Sequence, residues 1–150
     1  MAATILEVSK KNVTIKYDEN SQKSLECDFK QILPRNEREE VLDDMVNLEF
    51  LNEAELLWNL KKRYLKSDTI FTYVGPTLLI INPYKPLEEL FSIQNLALYQ
   101  KEIHMPSFSL KDFKPHIYAI SADVFRKLFE NGTDQAIIIS GESGVLIKLY

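Results

Sequence analysis

The chain has 150 residues, 45% of them apolar, with 18 lysine and arginine against 22 aspartate and glutamate and a formal net charge of −4. That is the make-up of about one ordinary soluble domain, long enough to bury a core. It argues against a membrane-spanning helix, because no stretch approaches the roughly 20 apolar residues one requires, and against nucleic-acid binding through a basic surface, because no dominant lysine and arginine cluster is present to displace counterions.

The start, MAATILEVSKK, lacks the basic-then-apolar order of a secretory signal. Residues 4–33 read as short strands separated by turns. Val13, Ile15 and Tyr17 alternate with Thr14 and Lys16, the period of a half-buried strand, and Asp18, Glu19 and Asn20 supply turn chemistry before LECDF. Two or three short strands neither close a barrel nor bury a core alone, so this part must lean on something else. Cys27, the single cysteine, cannot form an internal disulfide; with His104 and His116 as the only histidines, neither a zinc cluster nor a redox pair is built from it. A reducing compartment is expected.

Residues 1–50 carry 7 basic and 11 acidic side chains, whereas the second and third fifties each balance, so the acid surplus lies in the first third. The densest stretch, EREEVLDD at 37–44, reads as a solvated linker or helix face rather than a metal site. A helix is expected next. Asn52 can cap its start, Glu53 and Glu55 suit the positive end of its dipole, and Lys61, Lys62, Arg63 and Lys66 crowd the negative end. Leu57, Leu60 and Tyr64 form an apolar stripe that Ala54, Trp58 and Leu65 widen, so this face is predicted to be buried.

From Ile70 the pattern becomes IFTYV, then Gly75-Pro76, then TLLIIN, two strand-like runs joined by a hairpin or a sharp corner. TLLII is apolar on both faces, as in an interior strand. Residues 92–103 form a weaker helix from Ser92, and MPSFSLKDFK reads as a surface loop. Residues 115–130 are helical again: Pro115 suits a first turn, Ile117, Ile120, Val124 and Leu128 form the stripe, and Asn131-Gly132 supplies the stop. Ala136–Ser140, AIIIS, reads as a short buried strand, followed at once by Gly141-Glu142-Ser143-Gly144.

A buried strand running into a glycine-rich turn is the setting of a phosphate-binding loop, where backbone N–H groups converge on an anion and a helix start adds its positive end. Against the pattern G-x-x-x-x-G-K-[ST], Gly141 fits the first position. Leu146 stands where the second glycine belongs, Ile147 where the lysine belongs and Lys148 where the hydroxyl belongs. From these residues alone, an ordinary strand-ending turn and a phosphate loop both stay open. His116, at a helix start with no paired Ser, Cys or carboxylate, reads as structural rather than as a base, and His104 as a loop residue. Glu142 reads as a loop carboxylate, and no base is placed to make Ser143 a nucleophile.

DDMVNLEFLNEAELLWNLKKRYLKSDTIFTYVGPTLLIINPYKPL, PHIYAISADVFRKLF and QAIIISGESG resemble, in order and spacing, the start of the myosin motor head, from about Leu42 to Gly144. The resemblance implies a mixed α/β fold, the N-terminal part of a phosphate-loop NTPase motor head at 35–150, preceded at 1–34 by part of a small β-barrel. It implies an ATP-driven, actin-based motor using Mg²⁺, cytoplasmic and cytoskeletal. By position, Asn82, Pro83, Tyr84 and Lys85 resemble the loop beside the adenine, and Gly141, Glu142, Ser143 and Gly144 the front half of the phosphate cradle. Phe91 aligns with an aromatic, commonly tyrosine, that follows the adenine loop. In the family the cradle continues AGKT; here VLIKLY follows. The switch loops, relay, actin-binding cleft, converter and lever arm of the family would all lie beyond residue 150.

The expectation is therefore a chain that lacks ATPase activity, cut short by a gene-model error, an unspliced intron or a stop, marginally stable and prone to associate. Two alternatives are weighed beside it. One is a short non-catalytic interaction module, and the other is a nucleotide-binding enzyme outside the myosins.

Overall fold

The computed structural model describes residues 4–8, 12–16, 24–36, 41–103 and 109–141. Three short strands open the chain: β1 (Thr4–Val8), β2 (Asn12–Lys16) and β3 (Ser24–Asp28), antiparallel in the order β1-β2-β3. The alternation in NVTIK does what its period predicts, since Val13 and Ile15 on one face of β2 are buried. The Cys27 thiol, facing Val13 in the register, donates to the Val13 carbonyl at 3.6 Å. This is the small β unit read from the sequence.

Helix α1 (Glu53–Ser67) begins where its cap chemistry says it should. Asn52 accepts from the Glu55 amide at 3.1 Å, and Asp68 closes the other end in the left-handed region at φ 50°, its N–H on the Arg63 and Tyr64 carbonyls. The buried face is not the predicted one. Leu57 and Leu65 are 61% and 70% exposed, Ala54 is exposed, and Leu60, Tyr64 and Trp58 are only half-buried. The side chains that go inside are Glu55, Asn59 and Arg63, spaced i, i+4, i+8.

Each of these polar groups is partnered by chain outside the helix, as burial requires. Asn36 donates to Glu55 at 2.8 Å and brackets the Phe50 backbone, donating to its carbonyl at 3.0 Å and accepting from its N–H at 2.8 Å. Asn59 exchanges two hydrogen bonds with the Leu42 backbone, at 2.8 and 3.0 Å. Arg63 donates to Thr72 Oγ1 at 2.9 Å, to the Phe71 carbonyl at 3.0 Å and to Asp43. The acidic stretch expected to be solvated thus has a structural use: Asp43 pairs with Arg63, and Asp44 accepts from Val46 and Gly75 amides. Residues 37–40 of that stretch lie outside the described residues.

Strands β4 (Phe71–Val74) and β5 (Thr77–Ile80) form a hairpin whose two-residue loop is Gly75-Pro76. Gly75 sits at φ 59°, the positive value that tight hairpin turns need at this position. The interior strand is β4, with Phe71, Thr72 and Tyr73 buried, whereas β5 is half-buried and pairs only with β4 among the described residues. The Tyr73 hydroxyl is buried with no hydrogen-bond partner among the described groups, and desolvation pushes its pKa up to about 12.

Helix α2 (Ile93–Ile103) starts after Ser92, whose hydroxyl accepts from the Asn95 amide at 3.2 Å. Helix α3 (Ile117–Asn131) is capped by His116, so Pro115 precedes the cap instead of occupying the first turn. Its fully buried residues are Ala119 and Ala122, and Leu128 is exposed. His116 Nδ1 accepts from the Tyr118 amide at 3.0 Å; Nε2 therefore carries the hydrogen and donates to the Leu90 carbonyl at 3.1 Å. The ring is packed among Phe71, Phe91, Tyr99 and Tyr118. Beyond the Gly132 cap, residues 132–141 are exposed and in no strand, with Ile138 90% exposed. AIIIS has the composition of an interior strand, but no described sheet edge reaches it.

Three outcomes follow from these contacts. Arg63→Ala strips donors from the Thr72 hydroxyl and the Phe71 carbonyl, so urea unfolding of the chain should show a loss of about 3 kcal/mol. Asp43→Asn, at an exposed carboxylate, should cost about 1 kcal/mol or less. Burial lowers the His116 pKa below its ordinary 6.5. The folded state thus favours the neutral ring, and its contribution is complete above about pH 6.5 and declines as pH falls from there through the folded-state pKa. His116→Asn keeps a capping acceptor without a titratable ring, and its urea midpoint should lack that extra acid-side decline.

Candidate nucleotide-binding site

The loop Asn82–Lys85 leaves β5 directly, and Ile81 N–H donates to the Ile70 carbonyl at 2.9 Å, closing the hairpin below it. Asn82 folds its carboxamide over the turn and accepts from the Tyr84 amide at 2.9 Å. Tyr84 is held at φ 50°, a region non-glycine residues seldom occupy, and its side chain is 91% exposed. Pro83 is buried, and its carbonyl accepts from the Tyr64 hydroxyl at 3.3 Å. Lys85 pairs with Asp68 at 2.9 Å, and that hydrogen bond raises the lysine pKa above its ordinary value.

Beside the loop opens a groove of about 820 Å³, lined by Asp68, Pro86, Leu87, Leu90, Asn95 and Leu98 among others. Its wall is stiff where backbone meets side chain: the Leu90 carbonyl accepts from both Asn95, at 2.7 Å, and His116. Phe91, aligned with an aromatic that follows the adenine loop in the family, has its ring contacts with Phe71, His116 and Tyr118. Its carbonyl accepts from the Tyr118 hydroxyl at 3.0 Å.

The four residues read as the adenine side of a nucleotide site therefore form one ordered turn. Of the residues read as the phosphate cradle, Gly141 is exposed at the end of the extended segment, while Glu142, Ser143 and Gly144 lie outside the described residues. His104 also lies outside them. Among the described residues no group of three or more His, Cys, Asp or Glu side chains converges as a metal site, and no helix is long and apolar enough to cross a membrane. Tyr64 and Asp68, which touch the loop, were not singled out for it in the sequence. The only signal was an acidic residue just past a basic helix end, which does not reveal a lysine 17 positions further on.

The myosin head (motor domain) family matches residues 42–146. The chain is 40% identical over 103 residues to the Myosin ID heavy chain of Dictyostelium discoideum, covering 69% of this chain and 9% of that one. It is 44% identical over 101 residues to the Myosin-M heavy chain of the same organism, covering 67% and 6%. With Unconventional myosin-VI of Sus scrofa it shares 34% identity over 141 residues, 93% of this chain and 11% of that one. It thus spans about a tenth or less of the length of these relatives, and over that span it belongs to the myosin head (motor domain) family.

Proposed function

We propose that this chain is the opening part of an ATP-driven, actin-based motor of the cytoplasmic cytoskeleton, and that its share of the nucleotide pocket is the adenine side. The observation that carries this reading is the Asn82–Lys85 turn, held in an uncommon backbone shape that leaves the Tyr84 ring exposed, with Pro86, the next residue, lining an open groove. Strained, over-determined loops of this kind concentrate at ligand sites. Asn82, Pro83 and Tyr84 would meet the purine, and Gly141 to Gly144 would begin the turn that meets the phosphates.

The residues present do not fit the metal or the full triphosphate. Ile147 stands where a lysine would pair with the β and γ phosphates, and Lys148 where a hydroxyl would ligate Mg²⁺. A charge-assisted contact and a metal ligand are both missing from those positions. No hydrolytic step is derived for this chain. The functional reading is weak nucleotide binding without turnover, with actin as the partner of the motor as a whole.

The test is a titration of the 150-residue chain with a fluorescent ATP analogue, paired with a phosphate-release assay with and without actin filaments. Weak binding and no release are expected; turnover of ATP in either condition would refute the reading. Replacing Leu146, Ile147 and Lys148 together by Gly, Lys and Thr should tighten binding about tenfold or more, the size of a hydrogen bond to a charged group. Unchanged affinity would show that residues 141–148 do not face the phosphates.

A further inference from the structure

We infer that Tyr64, on the last turn of α1, and Asp68, its C-terminal cap, are positioning residues for the Asn82–Lys85 loop, and that Lys85 serves it as a tether and not as a ligand of the nucleotide. The inference rests on the nucleotide reading above for the loop's purpose, but its geometry stands on separate contacts.

The two residues stand at the C-terminal end of the helix, Tyr64 within its last turn and Asp68 as the left-handed cap. Tyr64 donates to the Pro83 carbonyl at 3.3 Å, and Asp68 pairs with Lys85 at 2.9 Å. Immediately before Tyr64 in sequence is Arg63, on the face that docks on β4 through Thr72 and Phe71. The helix end is thus fixed to the first strand of the hairpin whose second strand feeds the loop. The loop is gripped from below by Ile81 on Ile70 and from the side by Tyr64 and Asp68.

The loop needs such a grip. A non-glycine residue in the left-handed region costs on the order of 1 kcal/mol and persists where surrounding contacts over-determine it. Tyr84 has the Asn82 carboxamide on its amide and, on either side, one neighbour held by its carbonyl and the other by its ammonium. Asp68 is itself at φ 50°, so its own position is set by the helix cap before it meets Lys85. An ammonium already engaged by a carboxylate is a poor ligand for a phosphate. Lys85 therefore shapes the turn, and Tyr84 is left as the exposed contact.

Asn tolerates the left-handed region, so Asp68→Asn removes the charge and keeps the cap, and Tyr64→Phe removes one hydroxyl. In the 150-residue chain carrying both changes, the Tyr84 amide should lose protection against hydrogen exchange by about fivefold or more, as expected for one part-buried and one exposed contact. Exchange within the β4–β5 hairpin should be unchanged. Affinity for a fluorescent ADP analogue should fall by a similar factor in the double variant, and Lys85→Met should weaken it no more than Asp68→Asn does. Unchanged Tyr84 exchange in the double variant would overturn the positioning role. Tighter ADP binding in Asp68→Asn would overturn the tether role, because a released lysine would then be reaching the phosphates. If the unaltered chain binds no ADP analogue, the nucleotide reading fails, while the exchange measurement still decides whether Tyr64 and Asp68 hold the loop.

Discussion

The guanidinium of Arg63 is the contact on which the ordered part of the structure turns. A charge this deeply buried is tolerated only when its donors are used. Here they reach a hydroxyl and a carbonyl of β4 and the carboxylate of Asp43. Such a constraint is directional. Apolar side chains can slide against one another at small cost, whereas a planar fork with three fixed partners sets the rotation of α1, the position of β4 and the path of residues 42–44 together. Asn59 and Glu55 extend the same logic one and two turns toward the N-terminus, each tied to backbone or side chain 17 to 19 residues away. The helix is held in place by a row of polar bonds, and the Asn82–Lys85 loop inherits its position from that row.

Features of the fold that depend on neighbouring residues were legible in the sequence. Asn52 and Gly132 mark helix ends because capping is decided within a few residues, and Gly75-Pro76 marks a hairpin because the backbone there needs a positive φ followed by a residue that does not continue the pairing. What could not be read locally was which face of a helix turns inward. Leu57, Leu60 and Tyr64 form a sound apolar stripe, and the expectation that it would be buried assumed that apolar content decides. The partners of Glu55, Asn59 and Arg63 lie in irregular chain before the helix and in the strand after it, so nothing in the helix announces them. The same holds for AIIIS. Its composition describes the environment an interior strand would have, and the described residues do not provide that environment.

At the site, resemblance named Asn82 to Lys85 and the structure supplied what they do. The left-handed Tyr84 could not be inferred from its type, since tyrosine avoids that region, and only the Asx turn from Asn82 hints at it. Phe91, aligned with an aromatic that follows the adenine loop in the family, packs its ring into a cluster with Phe71, His116 and Tyr118. His116 was rightly read as structural, yet its particular use, a neutral ring that caps a helix with one nitrogen and holds the Leu90 carbonyl with the other, required coordinates.

These contacts separate two jobs that a nucleotide pocket combines. Recognising a purine needs a rigid, partly apolar turn, and rigidity can be built from hydrogen bonds among residues 64 to 116, all of them present here. Gripping a triphosphate needs charge and a metal ligand at fixed positions, which no amount of rigidity replaces, because the phosphates carry several negative charges out of water. In the reading proposed for this chain, Asn82 to Lys85 would serve the first job, and the residues of the second give way after Gly144 to Val145, Leu146 and Ile147. Affinity for nucleotide would then come from the base rather than the phosphates. It should therefore differ little between adenosine, ADP and ATP, and competition among the three against one fluorescent analogue would read this directly. A steep preference for ATP would show that the phosphate end contributes despite its sequence.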